Sequence, residues 1–232
     1  MTGTLFLVGV GPGDPELLTL KAARVLGAIH VVAYPRTGDG ATLALDIAAK
    51  HLDAAAEHLP LDLPIELARE PAQLAYDAAA AAIRRHLEQG RDVAWLCEGD
   101  PLFYGSAMYL LGRLAGSARI EVIPGITSIT ASAAAARRPL AARNDVLKVI
   151  PAPLPNDAIR AELTGAAAVA LIKIGRHLPR VRALLTESGH AVNAVVVEHA
   201  TTPHQRLVPL ADASAAPYFS TILCYTGAEA WR

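Results

Sequence analysis

Cysteine is scarce in this 232-residue chain. Cys97 and Cys224 are the only two, too few for a disulfide scaffold, and reduced thiols are the simplest reading. Net charge is nearly absent as well. Lys and Arg number 21 against 22 Asp and Glu, a balance of −1, which opposes nucleic-acid binding but leaves room for a local basic cleft. Long apolar runs are missing: nothing approaches the ~20 residues that a membrane helix needs. The opening run LFLVGV (5–10) has no basic segment before it and reads as a buried strand, not a signal peptide. The eight histidines show no metal-ligand spacing, and there is no Ser/His/Asp pattern or nucleophile elbow. These absences predict a cytoplasmic protein without a bound metal, a membrane span or a nucleic-acid partner.

What is present is apolar material: 53% hydrophobic and 19% charged residues, ample for a buried core. In the first half, apolar runs at 5–10, 29–34 and 92–97 alternate with helical stretches at 15–26, 41–51, 72–89 and 104–115. Strands that are apolar throughout and separated by helices predict a parallel sheet covered on both faces. The second half repeats the style. A small-residue helix over 126–136 is followed by strands near 146–150, 167–173, 192–198, 205–210 and 219–225. No helix-length segment separates the last two, which predicts an antiparallel pair. The expected architecture is α/β, with a mostly parallel domain at 1–117 and a mixed-sheet domain at 118–232.

Ligands in open α/β sheets bind at the carboxyl ends of strands, so the chemistry is sought there. Gly9-Val10-Gly11-Pro12-Gly13-Asp14-Pro15-Glu16 follows the first strand and invites comparison with a dinucleotide fingerprint. Asp14 stands where the third glycine would be, and Pro12 removes an N–H that a phosphate cradle would use. Asp14 and Glu16 already occupy the positive start of the next helix, where they would repel pyrophosphate. A nicotinamide-dependent oxidoreductase is therefore disfavoured. The plain alternative to a ligand loop is a tight turn with Asp14 as its cap. A second turn, Cys97-Glu98-Gly99-Asp100-Pro101-Leu102-Phe103-Tyr104-Gly105, carries an acidic pair between glycines. It suits a cation or ribose hydroxyls better than phosphate, or else caps the following helix.

Several segments together resemble the tetrapyrrole methylase family, in order and over nearly the whole chain: LFLVGVGPGDPELLTLKAARVL, CEGDPLFYGSAMYLLGRL, EVIPGITSITASAAAARRPLAARNDVL, ALIKIGRHLPRV, VVVEHATTPHQRLVPL and PYFSTIL. The second, third and last take the form seen in the branch that methylates carbon 20 of precorrin-2 in cobalamin synthesis. The resemblance implies two α/β/α domains with an S-adenosylmethionine site in the cleft between them, a tetrapyrrole substrate and a homodimer. It implies cofactor contacts from Pro12, Glu98, Gly99, Asp100, Phe103, Thr127, Ser128, Ile174 and Ala200. Taken singly, Thr127 and Ser128 would read as helix caps, and Ile174 and Ala200 as strand-end packing.

One departure from the family separates the branches. Where uroporphyrinogen-III methyltransferases end the second strand in Tyr-Asp, this chain has Tyr34-Pro35-Arg36. That favours the C(20) branch, with the cobalt form of the substrate, other tetrapyrrole methylases and a non-catalytic tetrapyrrole-binding protein as alternatives. Asp100 is the side-chain candidate for accepting a proton. Arg36 and Arg143 are the candidates for substrate carboxylates, which arginine binds bidentately.

Overall fold

The computed structural model describes residues 2–36, 42–63 and 69–226. The chain divides into two compact units, Met1–Thr127 and Ser128–Arg232.

In the first unit β1 (Thr4–Gly9) leads through a 3-10 turn (Pro15–Leu17) to α1 (Leu20–Leu26). Then follow β2 (Val31–Arg36), α2 (Leu43–Ala48), β3 (Glu57–Asp62), α3 (Arg69–Glu88), β4 (Val93–Cys97), α4 (Ala107–Leu114) and β5 (Arg119–Ile123). Residue 41, at the start of the expected 41–51 helix, lies outside the described residues; Ala49–His51 continue α2 as a 3-10 turn. The sheet runs β3-β2-β4-β1-β5 and every pairing is parallel.

Strand alternation explains why the central strands are apolar throughout. Leu5, Leu7, Val31, Ala33, Val93 and Trp95 pack with Ile83 and Leu87 of α3 and Leu110 and Leu114 of α4. On the other face Val8, Val32, Ala94 and Leu96 pack with Ala22 and Leu26 of α1 and Ile47 of α2. Each fully buried large side chain contributes about 1.5–3 kcal/mol.

β3 was not expected from the sequence. Its segment EHLPLD buries only Leu59 and Leu61 in part and holds Pro60, which lacks a ladder donor, so it fits only at an edge. The division between units also falls later than the expected 117/118 boundary. β5 pairs in register with β1, Leu5 opposite Ile120 and Leu7 opposite Val122, so residues 119–123 complete the first sheet. Gly116, at φ 79°, makes a turn after α4 and not an interdomain joint.

The second unit contains α5 (Ser128–Ala136), β6 (Leu147–Pro151), α6 (Asn156–Leu163), β7 (Ala168–Ile172), α7 (Leu178–Glu187), β8 (Val195–Glu198), β9 (Arg206–Pro209) and β10 (Ser220–Tyr225). Its sheet order is β6-β7-β10-β8-β9, with β6 and β7 parallel and the other pairings antiparallel. The expected pairing of the last two strands is therefore corrected. β10 inserts between β7 and β8, and β9 folds back on the outer side of β8. Burial decides this: β10 is apolar and buried along most of its length, whereas β9 (RLVP) is short, mostly exposed and ends in proline, and takes the edge. Ile159, Leu163, Val181, Leu184 and Leu185 of α6 and α7 cover one face. α5 packs on β8 and β10, its small residues permitting close approach. Among the described residues no helix is long and apolar enough to cross a membrane, and no His/Cys/Asp/Glu group could hold a metal.

Candidate active-site loops

In the first unit, the loops that leave β1, β4 and β5 meet backbone to backbone. Val10 N–H donates to Cys97 O at 2.9 Å, and Gly11 and Gly99 exchange two bonds: Gly99 N–H to Gly11 O at 2.8 Å and Gly11 N–H to Gly99 O at 3.3 Å. Gly9 and Gly125 close the approach. A Cβ on Gly9 would lie 2.6 Å from Gly125 N and 2.7 Å from Gly99 O, and one on Gly125 would overlap Gly99 O. Real side chains do not tolerate such distances, so glycine is required here for close approach. The resulting floor is made of main chain, with Pro12, Gly99 and Thr127 partly exposed around it. Asp14 takes the capping role: its Oδ1 accepts from Glu16 N at 2.9 Å at the start of the 3-10 turn.

Two carboxyl groups follow β4. Glu98 is held above the usual carboxylate range, chiefly by burial, while backbone N–H groups of Glu98 itself and of Ala44 pull the other way. Asp100 is used on both oxygens. Oδ1 accepts from Leu102 N at 2.9 Å and Oδ2 from Gly125 N at 3.0 Å, which ties the turn after β4 to the loop after β5. It does not cap α4, whose N-cap residue is Ser106. Phe103 and Tyr104 stand edge to face at 5.1 Å and both remain about 40% exposed. Tyr104 has φ 55°.

In the second unit, Ile174 is fully buried after β7 and Ala200 is buried after β8. Ser128 is the exposed first residue of α5. Positive φ marks the same two strand ends: Lys173 at 58°, His199 at 46° and Thr201 at 67°. Non-glycine residues in this region are uncommon and collect at functional loops. The loop after β8 is tied by its own side chains. Thr201 N–H donates to Gln205 Oε1 at 2.7 Å, Thr202 Oγ1 donates to His199 O at 2.9 Å, and His199 N–H reaches Phe219 O at 2.8 Å. A groove of about 600 Å³ opens beside this loop, lined by His199, His204, Gln205, Val208, Ala213 and Pro217 among others.

The two candidate arginines differ. Arg36 makes a bidentate pair with Asp62 of β3, Nε to Oδ1 at 2.8 Å and Nη2 to Oδ2 at 3.0 Å, so its guanidinium already holds a carboxylate. Asp62 was not foreseen as its partner because β3 itself was missed. Arg143 sits exposed at φ 48° on a turn. That turn is closed by Asp145 N–H to Ala142 O at 2.9 Å and Ala142 N–H to Asp145 Oδ2 at 3.0 Å. The Tyr225 hydroxyl of β10 donates to the same Asp145 oxygen at 2.5 Å and holds the Asp145 carboxyl below its ordinary value. Gly9, Gly125, Asp145 and Tyr225 were not singled out from sequence. The GVGPG run and the IPG motif signalled the two glycines, whereas nothing local signalled the Tyr225–Asp145 bond, which spans 80 positions.

Residues 4–214 match the family described as Tetrapyrrole (Corrin/Porphyrin) Methylases. Cobalamin biosynthesis protein CobIJ of Mycobacterium tuberculosis is 42% identical over 228 residues, which are 94% of this chain but only 45% of the relative, so the chain spans about half its length. Precorrin-2 C(20)-methyltransferase of Sinorhizobium sp is 40% identical over 95% of this chain and 94% of its own. Cobalt-precorrin-2 C(20)-methyltransferase of Salmonella typhimurium is 32% identical over 96% of each. Among solved structures, the cobalt precorrin-4 methyltransferase CbiF matches with a TM-score of 0.73 at 26% identity, over 96% of this chain and 94% of that one. Uroporphyrin-III C-methyltransferase of Thermus thermophilus, solved with S-adenosyl homocysteine, shares the fold with a TM-score of 0.72 at 24% identity, over 96% of this chain and 97% of that one.

Proposed function

The chain belongs to the tetrapyrrole methylase family, and we propose that it transfers a methyl group from S-adenosylmethionine to carbon 20 of precorrin-2, in cobalamin synthesis. The observation that carries this reading is the near full-length similarity to a precorrin-2 C(20)-methyltransferase, with 94% of that relative covered. The cobalt-bearing form of the substrate is the second reading, favoured by the 32% identity to a cobalt-precorrin-2 enzyme over 96% of each chain.

The residues present fit the donor. Gly9 and Gly125 let the main chain of the loops after β1, β4 and β5 meet, since a Cβ on either would collide with neighbouring backbone, and the acidic turn Glu98–Asp100 beside them suits a cationic, hydroxyl-bearing ligand more than a phosphate. Pro12, Glu98, Gly99, Phe103 and Thr127 of the first unit, and Ser128, Ile174 and Ala200 of the second, are proposed to hold it, with Asp100 shaping the loops that carry them. When bound, S-adenosylmethionine supplies an electrophilic methyl group on a sulfonium sulfur. The acceptor carbon of a reduced tetrapyrrole is electron-rich, so the chain's main contribution is alignment, which can supply ~7–11 kcal/mol of barrier reduction. Main-chain floors suit that task, because they have no side-chain rotamers to reorganise. Arg143, on its pinned turn, is the proposed partner for a substrate carboxylate; Arg36 is committed to Asp62 and contributes less. The protein is proposed to act in the cytoplasm as a homodimer. Leu74, Met108 and Tyr109 on the packed helices α3 and α4, with Leu102 before them, expose apolar surface that a second copy would cover.

The test is anaerobic incubation with S-adenosylmethionine and precorrin-2, its cobalt form or uroporphyrinogen III, followed by mass spectrometry. One added methyl on either precorrin-2 form, with uroporphyrinogen III unchanged, is expected. Two methyl groups added to uroporphyrinogen III at a rate matching precorrin-2 turnover would overturn the branch while leaving the family intact.

A further inference from the structure

We propose that Asp100 is a positioning residue, a clasp that sets the separation of the two glycine loops at the carboxyl ends of β4 and β5, and not the proton acceptor of the reaction. The inference rests on the cofactor site proposed above. Its basis is the use of both carboxylate oxygens. Oδ1 accepts from Leu102 N at 2.9 Å and so closes the turn in which Asp100 itself sits. Oδ2 accepts from Gly125 N at 3.0 Å, across 25 positions, and so joins that turn to the loop after β5. The joint lies where a Cβ on Gly125 would overlap Gly99 O and one on Gly9 would meet Gly125 N. Main chain from β1, β4 and β5 thus converges with no side chain to space it, and the Asp100 carboxylate supplies the spacing. A proton acceptor needs a lone pair aimed at the substrate. Each Asp100 oxygen keeps a second lone pair, but the two backbone N–H bonds fix the carboxylate in one orientation that ties the turn after β4 to the loop after β5, the arrangement of a group that aligns the loops.

The clasp demands two acceptors at fixed spacing, and this separates aspartate from its isosteres. In Asp100→Asn one oxygen still accepts from Leu102 N, but the amide NH₂ faces the Gly125 N–H, donor against donor. In Asp100→Glu two acceptors remain, on a side chain one methylene longer. The expected result for Asp100→Asn is up to roughly tenfold weaker S-adenosyl homocysteine binding by calorimetry, because the loosened loops occupy the binding-competent arrangement for a smaller fraction of the time. Exchange of the Gly125 amide hydrogen in the ligand-free protein should quicken at least tenfold. At saturating concentrations of both substrates kcat should fall less than tenfold, and its pH profile should keep both limbs. Asp100→Glu should recover part of the binding and of the amide protection.

A kcat loss of a thousandfold or more with one limb of the profile gone, and cofactor affinity unchanged, would make Asp100 the proton acceptor and overturn the proposal. Weaker cofactor binding with Gly125 exchange unchanged would make it a direct ligand and overturn it as well. If Asp100→Asn fails to fold, Asp100→Glu carries the same readouts. If the wild-type protein binds no S-adenosyl homocysteine, the cofactor reading fails, while amide exchange at Gly125 still decides the clasp.

Discussion

Glu98 holds a carboxyl group where the chain leaves a fully buried strand, and burial raises its pKa. An acid raised in the folded state contributes stability that is complete below its unfolded pKa and is lost as pH rises through the folded value. At pH 7 the wild-type protein therefore bears a cost that a neutral isostere avoids. Glu98→Gln should melt a few degrees higher than wild type at pH 7, and the gain should shrink toward zero at pH 4. Equal differences in Tm at the two pH values would show that burial of charge is not the cause. The two thiols lie on the same side of this argument. Burial pushes the Cys224 thiol up to about 12 and the Cys97 thiol higher still, the latter helped by the nearby Glu98 charge. Both are free and buried. The native protein should resist iodoacetamide at pH 8, and the urea-unfolded protein should take a label on each. Rapid native labelling of Cys97 would mean that the end of β4 opens more readily than its packing implies.

At the scale of elements, the loops carry more of the identity than the strands. The turn Ala142–Asp145 presents Arg143 and Asn144, and it is fixed from a distant strand by the Tyr225 hydroxyl. Tyr225→Phe keeps the ring and removes that donor. It should speed amide exchange at Ala142 and Asp145 and raise the Michaelis constant for the tetrapyrrole several-fold, with S-adenosyl homocysteine affinity unchanged. An unaltered Michaelis constant would separate this turn from substrate binding. The central strands of both sheets were legible because a strand buried on both faces must be apolar throughout, as VAWLC is. β3 was not legible: an edge strand answers to one neighbour and to solvent, so EHLPLD carries only the short alternation of Leu59 and Leu61, interrupted by Pro60. With β3 went Asp62, and with Asp62 the knowledge that Arg36 is neutralised.

The whole molecule joins an all-parallel sheet to a mixed one, and Thr127-Ser128 is where the chain passes from the first unit to the second. Its apolar excess is not entirely internal. Leu74 is 71% exposed on α3, and Met108 and Tyr109 are each 42% exposed on α4, more than a solvated helix face needs. Sedimentation across micromolar concentrations should report a dimer. Replacing Met108 and Tyr109 together by Lys and Gln should shift it toward monomer, and a monomeric wild-type profile would remove the dimer from the account.

By itself the sequence determined the α/β class, the parallel first sheet and the positions of the loops, because hydrophobic period, helix-ending glycines and motif order are local properties of the chain. It also pointed to Asp14 as the cap of the turn after β1, the role in which its Oδ1 accepts from Glu16 N–H. Strand order was decided only by the tertiary structure. Whether β10 lies beside β9 or between β7 and β8 depends on which arrangement buries its apolar face, a comparison that no local pattern contains. The partners of the polar side chains were decided there too. Asp100 finds Gly125, Arg36 finds Asp62 and Asp145 finds Tyr225 across separations of 25, 26 and 80 positions. A hydrogen bond is set by distance and angle in space, and those exist only once the sheets have brought the strand ends together.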